Sequence, residues 1–437
     1  MKKIIVYLIG LTNIAIIFFF WYQGSILTIH QPADVWTAFG RLFGLSAVFC
    51  VLLQFVIRGR APYIEGAFGL EKISKLHRLN GYVIIIFIIL HPLFMTIGYM
   101  GLTHLDMLAQ FVSFLIDFED VFQGFIGTIL FIVVVFTSIY IVRKHLKYEF
   151  WYWVHLMTYL AIFFAFGHQL EEGGDFLSNP LFRYYWYFLY AFVFGNVLIF
   201  RFGKQLYEYV FHRFYVSRIV SESPDVNSIY IGGVDMAKFH INPGQFMIFR
   251  FLDRTRWYEA HPFSLSKVFD GKEIRVTAKN VGDFTSVIKD IKPNTPVLVD
   301  GPYGAFTLPK DNKKLLFVAG GIGVTPIRSM IEQAVGEKRD IQFIYSASHV
   351  VDLVFLHEFE ELQKIHPFSM SCVISQEKDH PFELGRIDAE KLARLVPDLH
   401  ERDIYICGGP QMMTGVIDLL KSKGVRSDRI HFEEFAL

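Results

Sequence analysis

Cysteine is scarce in this chain. Its three cysteines, Cys50, Cys372 and Cys407, lie far apart and show neither a disulfide pattern nor the spacing of zinc ligands. The sequence also contains no EF-hand loop, internal repeat or low-complexity tract. Basic and acidic residues are equal in number, 42 of each, so no excess of positive charge predicts a nucleic-acid partner. The sequence therefore gives no support for a disulfide-stapled domain, a zinc protein, a calcium sensor or a nucleic-acid-binding protein.

Charge is also missing from long stretches of the first half. Hydrophobic residues make up 53% of the chain, and residues 1–203 contain six apolar stretches of about 20 residues, long enough to cross a bilayer. The predicted spans are 4–22, 35–57, 79–100, 121–142, 150–169 and 181–202. The first begins with basic residues, as a signal peptide does, but its apolar core is long and no small-residue cleavage site follows Trp21. We therefore expect a retained span.

Lysine and arginine are distributed unevenly among the loops. They precede the first span and follow the second, fourth and sixth: Lys2, Lys3, Arg58, Arg60, Lys72, Lys75, Arg78, Arg143, Lys144, Lys147, Arg201 and Lys204. The opposite loops contain acids instead: Asp34, Asp106, Asp117, Glu119, Asp120, Glu171, Glu172 and Asp175. Because basic loops stay on the cytoplasmic side, we expect a multi-pass plasma-membrane protein in a lipid bilayer with both termini in the cytoplasm.

Four histidines lie in or beside two of these spans. His77 and His91 are fourteen residues apart at the third span, and His155 and His168 are thirteen apart in the fifth. At about 1.5 Å per residue, each spacing separates two imidazoles by roughly 20 Å along a helix. In neighbouring helices they would form an inner pair (His77, His155) and an outer pair (His91, His168). That arrangement is typical of bis-histidine ligation of two haems, whereas a lone membrane histidine would more often be a satisfied polar group.

Helical periodicity fits one spacing better than the other. Fourteen residues return a side chain to within roughly 40° of its starting face, whereas thirteen miss that face by roughly 140°. We therefore expect a bulge or local unwinding in the fifth span before His168, with Gly167 as its position. Pro92, next to His91, suggests a distortion in the third span. The remaining histidines near the spans are predicted to be solvated: His30, His104 and His145.

The second half has an ordinary soluble composition and two kinds of pattern. From about residue 214, short β-like runs separated by turn residues predict a small antiparallel barrel, which we place at 214–309. From about residue 313, strands alternate with helical segments, which predicts an α/β domain with a parallel sheet at 313–437. Together with a membrane domain at 1–203, the chain is expected to contain three domains.

Glycine-rich turns follow two predicted strands of the α/β part. The candidate residues of the first are Gly320, Gly321, Gly323, Thr325 and Pro326, and those of the second are Cys407, Gly408, Gly409 and Pro410. In the first turn the glycines allow a tight bend, Thr325 is a candidate N-cap, and Pro326 suits the first helical position. Because ligands bind at the carboxyl ends of parallel strands, both turns are expected to border one crevice suited to a pyrophosphate. A plain strand–helix turn, and a buried structural cysteine, are the alternatives.

Three further motifs lie at strand ends in the barrel part. They are HPFS (His261, Pro262, Phe263, Ser264), VGDFT (with Gly282 and Thr285) and DGPYG (Asp300–Gly304). Each could be turn chemistry alone. Ser264 offers a hydroxyl and His261 a donor, while the segment from Gly282 to Thr285 opens a helix whose amides suit an anion. The residues themselves predict only a polar groove that accepts phosphate.

Taken together, these motifs resemble the NADPH oxidase and ferric reductase superfamily of transmembrane flavocytochromes, over essentially the whole chain. The resemblance implies a six-helix all-α transmembrane haem domain, an antiparallel β-barrel FAD domain and a ferredoxin-reductase-like α/β nucleotide domain. HPFS is similar to the family's flavin motif, which places Ser264 near the isoalloxazine and His261 near the ribityl-phosphate portion. VGDFT is similar to its flavin pyrophosphate segment, where Thr285 is expected to hydrogen-bond FAD. AGGIGVTP and CGGP look like its nicotinamide-nucleotide motifs, with Cys407 close to the nicotinamide as a catalytic candidate.

The resemblance extends to Arg41, near the outer end of the second span. The family has an arginine there beside the outer haem propionates and the oxygen-reduction site, and an arginine that reaches out to the membrane surface is the simpler alternative. Two features depart from the family. The C-terminal aromatic that stacks on the flavin corresponds to Phe435, but Ala436 and Leu437 follow it. NADPH-selective relatives often have arginine where this chain has Ser346–His349, so NADPH is expected and NADH stays possible.

The resemblance implies electron transfer from cytosolic NAD(P)H through FAD and two b-type haems to an external acceptor. Oxygen is the first expectation for the acceptor. Because two axial imidazoles leave no open position on the iron, oxygen would take one electron without binding the metal and give superoxide. Ferric-chelate reduction is the alternative reaction, although the acidic outer loops disfavour anionic chelates. A haem-bearing partner or sensor subunit is the alternative from another functional class. The sequence identifies no protein partner.

Overall fold

The computed structural model describes residues 2–171, 179–254, 256–309 and 313–434. The chain divides into two compact units, a membrane unit of residues 1–203 and a soluble unit of residues 204–437. In the described residues the membrane unit is helical, and the strands belong to the soluble unit.

The described helices of the membrane unit include six that are long and apolar enough to cross a bilayer. The helices are α1 (Lys2–Trp21), α2 (Pro32–Arg58), α3 (Pro62–Phe68), α4 (Leu70–Thr103), α5 (Met107–Asp117), α6 (Glu119–Ser138), α7 (Tyr140–Arg143), α8 (Tyr148–Glu171) and α9 (Pro180–Asn196). The six spanning stretches are Lys3–Ile26, Pro32–Arg58, Lys72–Thr103, Asp120–Ser138, Phe150–Gln169 and Pro180–His212. The six predicted spans are thereby confirmed, although the third and sixth helices are longer than predicted.

Two helix pairs dominate the packing of the membrane unit. α4 packs along α2, and α8 packs along α6. Small residues permit both approaches: a Cβ at Gly101 would lie 2.9 Å from Ala33 Cβ, and one at Gly127 would lie 2.8 Å from the Ala161 carbonyl oxygen. Such small-residue contacts are typical of helices that pack closely in membranes. α1 and α9 join the bundle through Trp21 and other buried side chains.

The bulge predicted in the fifth span is wrong. α8 is a continuous α-helix through Gly167, and α4 likewise continues through Pro92. The π-helical segments of this unit occur instead at Tyr22–Ile26 and Val197–Gly203, where they extend α1 and α9. Because α8 keeps its regular step of about 100° per residue, His155 and His168 leave it from different sides.

The flavin part of the soluble unit contains two antiparallel sheets. Its elements are α10 (Lys204–His212), β1 (Tyr215–Ser223), β2 (Val226–Gly232), β3 (Phe246–Phe251), β4 (His261–Ser264), β5 (Ile274–Lys279), α11 (Asp283–Ser286) and β6 (Val297–Tyr303). The strand orders are β1-β2-β5 and β4-β3-β6. Single bridges join the sheets at both edges, Tyr215 with Pro296 and Leu265 with Val276. The described strands therefore form two three-stranded sheets linked by single bridges, and they are not one continuously paired barrel.

Alternation along the strands explains this core. Met247, Phe249 and Phe251 of β3 point inward, whereas the residues between them are partly exposed. This period of two is the pattern expected for a strand that is buried on one face.

The nucleotide part is a six-stranded parallel sheet with helices on both faces. Its elements are β7 (Lys314–Gly320), α12 (Val324–Gly336), β8 (Asp340–Ala347), α13 (Leu356–Ile365), β9 (Ser369–Ile374), β10 (Glu383–Leu384), α14 (Ala389–Leu395), β11 (Asp403–Gly408), α15 (Pro410–Ser422) and β12 (Ile430–Glu434). The strand order is β10-β9-β8-β7-β11-β12. α12 and α13 cover one face, and α14 and α15 cover the other. The chain reverses its direction of strand addition between β7 and β11, which is where ligands bind in sheets of this kind.

Candidate functional site

The four predicted membrane histidines come together as two pairs. The ring centroids of His77 and His155 lie 6.0 Å apart, and those of His91 and His168 lie 6.1 Å apart. Two histidine–metal bonds of about 2 Å each, together with the half-widths of two imidazole rings, separate the centroids by roughly 6 Å. Both pairs therefore have the separation that one shared metal ion requires. Each pair offers two imidazoles, which suits a group that needs two ligands from the protein.

One histidine of each pair is oriented through its Nδ1 atom. His91 Nδ1 lies 2.8 Å from the Gly40 carbonyl oxygen, which can only accept, so Nδ1 carries the hydrogen. His155 Nδ1 lies 3.3 Å from Ser138 Oγ, and that hydroxyl already donates to the Val134 carbonyl oxygen at 2.7 Å. Here too, Nδ1 is the donor. In both residues Nε2 is the nitrogen that could bind a metal, and a hydrogen bond from Nδ1 is one that metal-binding histidines usually make.

The other histidine of each pair is held differently. The Nδ1 atoms of His77 and His168 are buried and have no hydrogen-bond partner among the described residues. A buried polar atom without a partner requires an explanation, and a bound group is one. Each pair thus combines an oriented imidazole with one that the protein leaves unpaired.

The two histidine pairs connect helices that otherwise share little contact in the described residues. α4 packs on α2 and α8 packs on α6, and in the described residues α4 and α8 share no comparably extended contact. Since His155 and His168 leave the unbroken α8 from different sides and both meet α4, α4 and α8 must cross. The imidazoles of His155 and His168 therefore connect α8 to α4 at two levels.

Sequence reasoning missed two glycines that lie against the outer histidines. A Cβ at Gly44 would lie 2.9 Å from His91 Nδ1, and one at Gly124 would lie 3.1 Å from His168 Cγ. Each neighbouring helix therefore lacks the side chain that would displace an imidazole. The available signal was the spacing of Gly40 and Gly44, four residues apart on α2, because small residues at this interval are typical of close helix approach.

Arg41 lies on the same stretch of α2. Gly40, the preceding residue, accepts the His91 hydrogen bond, and Gly44 faces the His91 ring less than one turn further along. The Arg41 side chain is partly buried. The structure thus places Arg41 within one helical turn of the backbone that contacts the outer pair.

Ser264 ends β4 in the flavin part. It is 4% exposed, and its Oγ has no hydrogen-bond partner among the described residues. Leaving a buried hydroxyl unpaired costs about 1–3 kcal/mol, so this position fits a ligand atom that would complete the bond. Pro262, earlier in the strand, is exposed, and Phe263 packs against the sheet core.

His261 begins the same strand and is held from two sides. Its ring stacks on Phe284 with centroids 3.7 Å apart, and its Nε2 lies 3.2 Å from Glu259 Oε2. Burial lowers the pKa of His261 below its usual value, and the nearby Glu259 carboxylate opposes that shift. His261 is therefore mainly neutral at physiological pH, which suits a hydrogen-bonding role more than a fixed positive charge.

Thr285 makes several hydrogen bonds within the VGDFT turn. Its Oγ1 accepts hydrogen bonds from the backbone N–H groups of Val281 at 3.0 Å and Gly282 at 2.9 Å, and it donates to the Gly282 carbonyl oxygen at 3.0 Å. A hydroxyl has one donor and two acceptor positions, and all three are used within the turn. Thr285 therefore stabilises the VGDFT turn, and its hydrogen bond to FAD stays a prediction.

The two glycine-rich turns of the nucleotide part contact each other. A Cβ on Gly323 would collide with the backbone of Cys407 and Gly408, and one on Gly408 would lie 3.0 Å from Gly320 Cα. These positions require glycine because backbone meets backbone. Gly321 has a positive φ of +52° and open space beside it. The turns border one crevice at the carboxyl ends of β7 and β11, with room for backbone to approach a ligand closely.

α12 begins earlier than predicted. Its N-cap is Gly323 and its first residue is Val324, because a 3₁₀ turn leads directly into the helix. The prediction of Thr325 as N-cap is therefore wrong, and Thr325 and Pro326 occupy the second and third helical positions. Thr325 is 2% exposed, and its Oγ1 donates to the Ile322 carbonyl oxygen at 3.1 Å.

The second turn leads into α15. Gly409 is the N-cap with open space beside it, and Pro410 takes the first helical position, where its missing N–H leaves no bond unmade. Cys407, at the end of β11, is fully buried, and burial raises the pKa of its thiol well above the usual value. The thiol is thus a protonated core group in this structure, and the contribution visible at Cys407 is its backbone contact with Gly323.

Comparison with known families covers both units. Residues 43–166 match the family described as "Ferric reductase like transmembrane component". Residues 220–307 match an FAD-binding domain, and residues 317–418 match an oxidoreductase NAD-binding domain. The chain has the domain architecture of the NADPH oxidase and ferric reductase family. The chain thus matches, in order, a ferric-reductase-like transmembrane component, an FAD-binding domain and an NAD-binding domain, and its described residues include six helices long and apolar enough to cross a membrane.

Curated relatives match about half of the chain. The reductase component of propane 2-monooxygenase from Rhodococcus jostii is 26% identical over 232 residues, 50% of this chain and 62% of that protein. A flavohemoprotein from a Burkholderia species is 28% identical over 232 residues, covering 51% and 58%. An NADPH oxidoreductase from Mycobacterium tuberculosis is 29% identical over 225 residues, covering 49% and 58%. The chain therefore spans about three fifths of the length of these relatives.

Solved structures also match about half of the chain. The FAD/NAD-binding domain of nitric oxide dioxygenase from Vibrio cholerae is 23% identical, with a TM-score of 0.48 and coverage of 51% of this chain and 98% of that chain. A cytochrome P450 reductase from Amycolatopsis is 20% identical, with a TM-score of 0.46 and coverage of 51% and 69%. Phe435, the predicted flavin-stacking aromatic, and the acidic residues Glu172 and Asp175 lie outside the described residues.

Proposed function

We propose that the chain transfers electrons across the membrane from NAD(P)H to an external acceptor, with His77 and His155, and His91 and His168, as the axial ligands of two b-type haems. The observation that supports this most directly is the equal separation of the two pairs, 6.0 and 6.1 Å, at depths roughly 20 Å apart along α4. When bound, FAD would accept hydride from the nucleotide and the haems would pass single electrons.

The protein's part is to orient these groups. His91 and His155 would present Nε2 to the metal because Gly40 and Ser138 hold their Nδ1 hydrogens. The glycines beside the outer imidazoles keep that site open. In the soluble unit, Ser264 would complete its missing hydrogen bond with the flavin. The nucleotide would lie along the two glycine-rich turns, formed by Gly320, Gly321, Gly323, Thr325, Pro326, Gly408, Gly409 and Pro410.

The distribution of charge sets the proposed orientation. Basic residues follow the second, fourth and sixth spans, and basic loops stay in the cytoplasm. Both termini and the soluble unit are therefore on the cytoplasmic side of the plasma membrane, and the pair His91 and His168 lies near the outer surface.

Oxygen is the proposed acceptor, with superoxide as the product. His91 and His168 would hold the outer haem with both imidazoles, and that haem would supply single electrons to oxygen. Arg41, on the same turn of α2 as the His91 contact, would stabilise the developing anion, since a fixed charge in a poorly solvated site acts more strongly than in water.

Ferric-chelate reduction is the second candidate, favoured by the match of residues 43–166 to a ferric-reductase-like component. Purified protein with FAD and NADPH in air distinguishes the two. For an oxidase, superoxide dismutase abolishes most of the cytochrome c reduction, and Arg41→Ala slows that reduction without loss of haem. No effect of dismutase, together with much faster anaerobic reduction of a ferric chelate, would replace the oxidase with a ferric reductase.

NADPH is the proposed donor, with NADH as the alternative. NADPH follows from the resemblance to NADPH oxidases. NADH is the alternative because Ser348 and His349, which follow the end of β8 at Ala347, offer no arginine to bind a 2′-phosphate. The ratio of kcat/KM for NADPH and NADH decides between them.

A further inference from the structure

α12, the helix that starts at the glycine-rich turn, is docked against the flavin part. Ser329 Oγ accepts a hydrogen bond from the Gly244 backbone N–H at 3.0 Å, and Glu332 Oε2 accepts one from the Val268 N–H at 2.7 Å. Gly244 and Val268 belong to loops that flank β3 and β4. One face of α12 therefore provides acceptors for backbone donors of the flavin part, while the start of the helix forms the nucleotide turn.

A buried cluster of charges continues this contact. Arg275, on β5 and 4% exposed, bonds both carboxylate oxygens of Glu358 on α13, at 2.7 and 3.1 Å. Arg328, on α12 and 5% exposed, reaches Glu358 at 2.7 Å and also pairs with Glu332. Glu358 therefore connects a strand of the flavin part to both helices on one face of the nucleotide sheet.

Arg275 is fixed on the flavin side before it reaches Glu358. Its Nη2 donates to the Ser266 carbonyl oxygen at 2.8 Å and its Nε donates to Ser266 Oγ at 3.2 Å. Its guanidinium also lies over the ring of Phe355, 4.6 Å from the centroid. Burial raises the pKa of Glu358, but Arg275 and Arg328 outweigh this and hold it below the usual value. At neutral pH, Arg275 and Arg328 share the Glu358 carboxylate, and Arg328 also pairs with Glu332.

A cluster of this kind specifies alignment more than it adds stability. Apolar side chains of similar size often stabilise a protein as well as a buried ion pair does, whereas a carboxylate that receives two parallel bonds from arginine accepts only one geometry. Hydride transfer depends on such alignment, because the reacting atoms must lie about 3–3.5 Å apart and a misplacement of about 1 Å costs on the order of 100-fold in rate.

We propose that Glu358 is a positioning residue for hydride transfer: by joining Arg275 to Arg328, it holds α12 and the nucleotide turn in register with the flavin part. The proposal rests on the proposed hydride transfer from NAD(P)H to FAD and does not depend on whether the two haems are present.

Glu358→Gln in the full-length, FAD-loaded protein tests this, because the amide keeps the shape and removes the charge. Anaerobic stopped-flow reduction of the flavin by saturating NADPH should slow by about tenfold or more, with the NADPH concentration for half-saturation and the FAD content nearly unchanged. Glu358→Asp, which keeps the charge, should recover part of the rate. The matched control is Glu361→Gln on the exposed side of α13, where Glu361 pairs with Lys364 at 2.6 Å, and it should behave like the wild type.

A second measurement does not depend on activity. Without nucleotide, hydrogen exchange at the Gly244 and Val268 amides should be faster in Glu358→Gln, because their acceptors on α12 are less firmly held, while β1 and β2 keep their protection. A wild-type rate of flavin reduction in Glu358→Gln would overturn the proposal. So would a slower rate accompanied by faster exchange throughout the flavin part, which would indicate general destabilisation.

Discussion

The membrane unit and the soluble unit build their candidate sites in opposite ways. In the membrane unit the site consists of side chains that are present: four imidazoles among apolar helices, with ring separations of 6.0 and 6.1 Å. In the nucleotide part the site consists of side chains that are absent, since Gly323 and Gly408 let two strand ends touch through their backbones. Function should therefore be lost by removing atoms from the first unit and by adding atoms to the second.

The largest effect is expected from removing an outer imidazole. His91→Ala takes away one axial ligand, so the protein should retain one haem instead of two and electron flow beyond FAD should stop. A pyridine haemochrome assay counts the haems per chain. The matched control is His145→Ala, because His145 is exposed and outside both pairs. A count of one haem or none in well-folded wild-type protein would contradict the proposed ligand pairs.

Adding a single methyl group should damage the soluble unit. In Gly323→Ala the new Cβ collides with the backbone of Cys407 and Gly408, and overpacking of this kind costs about 1–3 kcal/mol. We expect a lower Tm and a higher KM for NADPH. Gly336→Ala, at the other end of α12 with nothing within 4 Å of the new Cβ, should be neutral or stabilising by up to about 1 kcal/mol. Equal behaviour of the two variants would remove the contrast between the units.

A third variant tests whether an added methyl group also damages the site in the membrane unit. Gly44→Ala adds a methyl group to the membrane unit, where its Cβ would lie 2.9 Å from His91 Nδ1. The displaced imidazole should bind the outer haem more weakly, seen as partial haem loss and a changed absorption spectrum. Gly195→Ala on α9, which has open space, is the control. Full haem content in Gly44→Ala would show that the outer site tolerates added atoms.

The smallest effect is expected at Ser264, where stability without FAD and affinity for FAD should change in opposite directions. Ser264→Ala removes an unpaired buried hydroxyl, so FAD-free protein should be equally or slightly more stable, while FAD affinity falls by about 0.5–1.5 kcal/mol. Thermal unfolding without FAD and a flavin titration measure the two. Ser266→Ala is the contrasting control, because Ser266 Oγ already bonds the Arg275 carbonyl oxygen and Thr277 Oγ1, and its loss should destabilise the protein even without FAD. Weaker stability in both variants would mean that the Ser264 hydroxyl is satisfied without a ligand.

Sequence reasoning worked where the signal was local. The six spans follow from the length of apolar runs, and β7, β8 and β11 follow from apolar runs that end in turn residues. The short strands β9 and β12 were not predicted, since Ser369–Ile374 and Ile430–Glu434 mix polar and apolar residues. The bulge at Gly167 was predicted because side-by-side helices were assumed, and their crossing is a property of packing between distant segments.

The same limit applies to the supporting residues. Threonine is a common N-cap residue, which is why Thr325 was predicted as one. Because a 3₁₀ turn precedes the helix, α12 instead begins earlier, at Val324. Ser138 orients His155 from a different helix. Glu358 bonds Arg275, which lies 83 residues away along the chain. No local pattern identifies such partners, because each is defined by a contact that only the folded chain brings about.

The single bridges between the two sheets of the flavin part also affect how neighbouring chains meet. An open strand edge offers unpaired N–H and C=O groups to another chain and invites aggregation. In the described residues, the bridges Tyr215–Pro296 and Leu265–Val276 give the outer strands of both antiparallel sheets partners on their outer sides. The parallel sheet does have edges, but β10 is only two residues long and β12 carries Glu433 and Glu434. Short and charged edges resist strand pairing, so the soluble unit should remain dispersed even when many copies are crowded at one membrane surface.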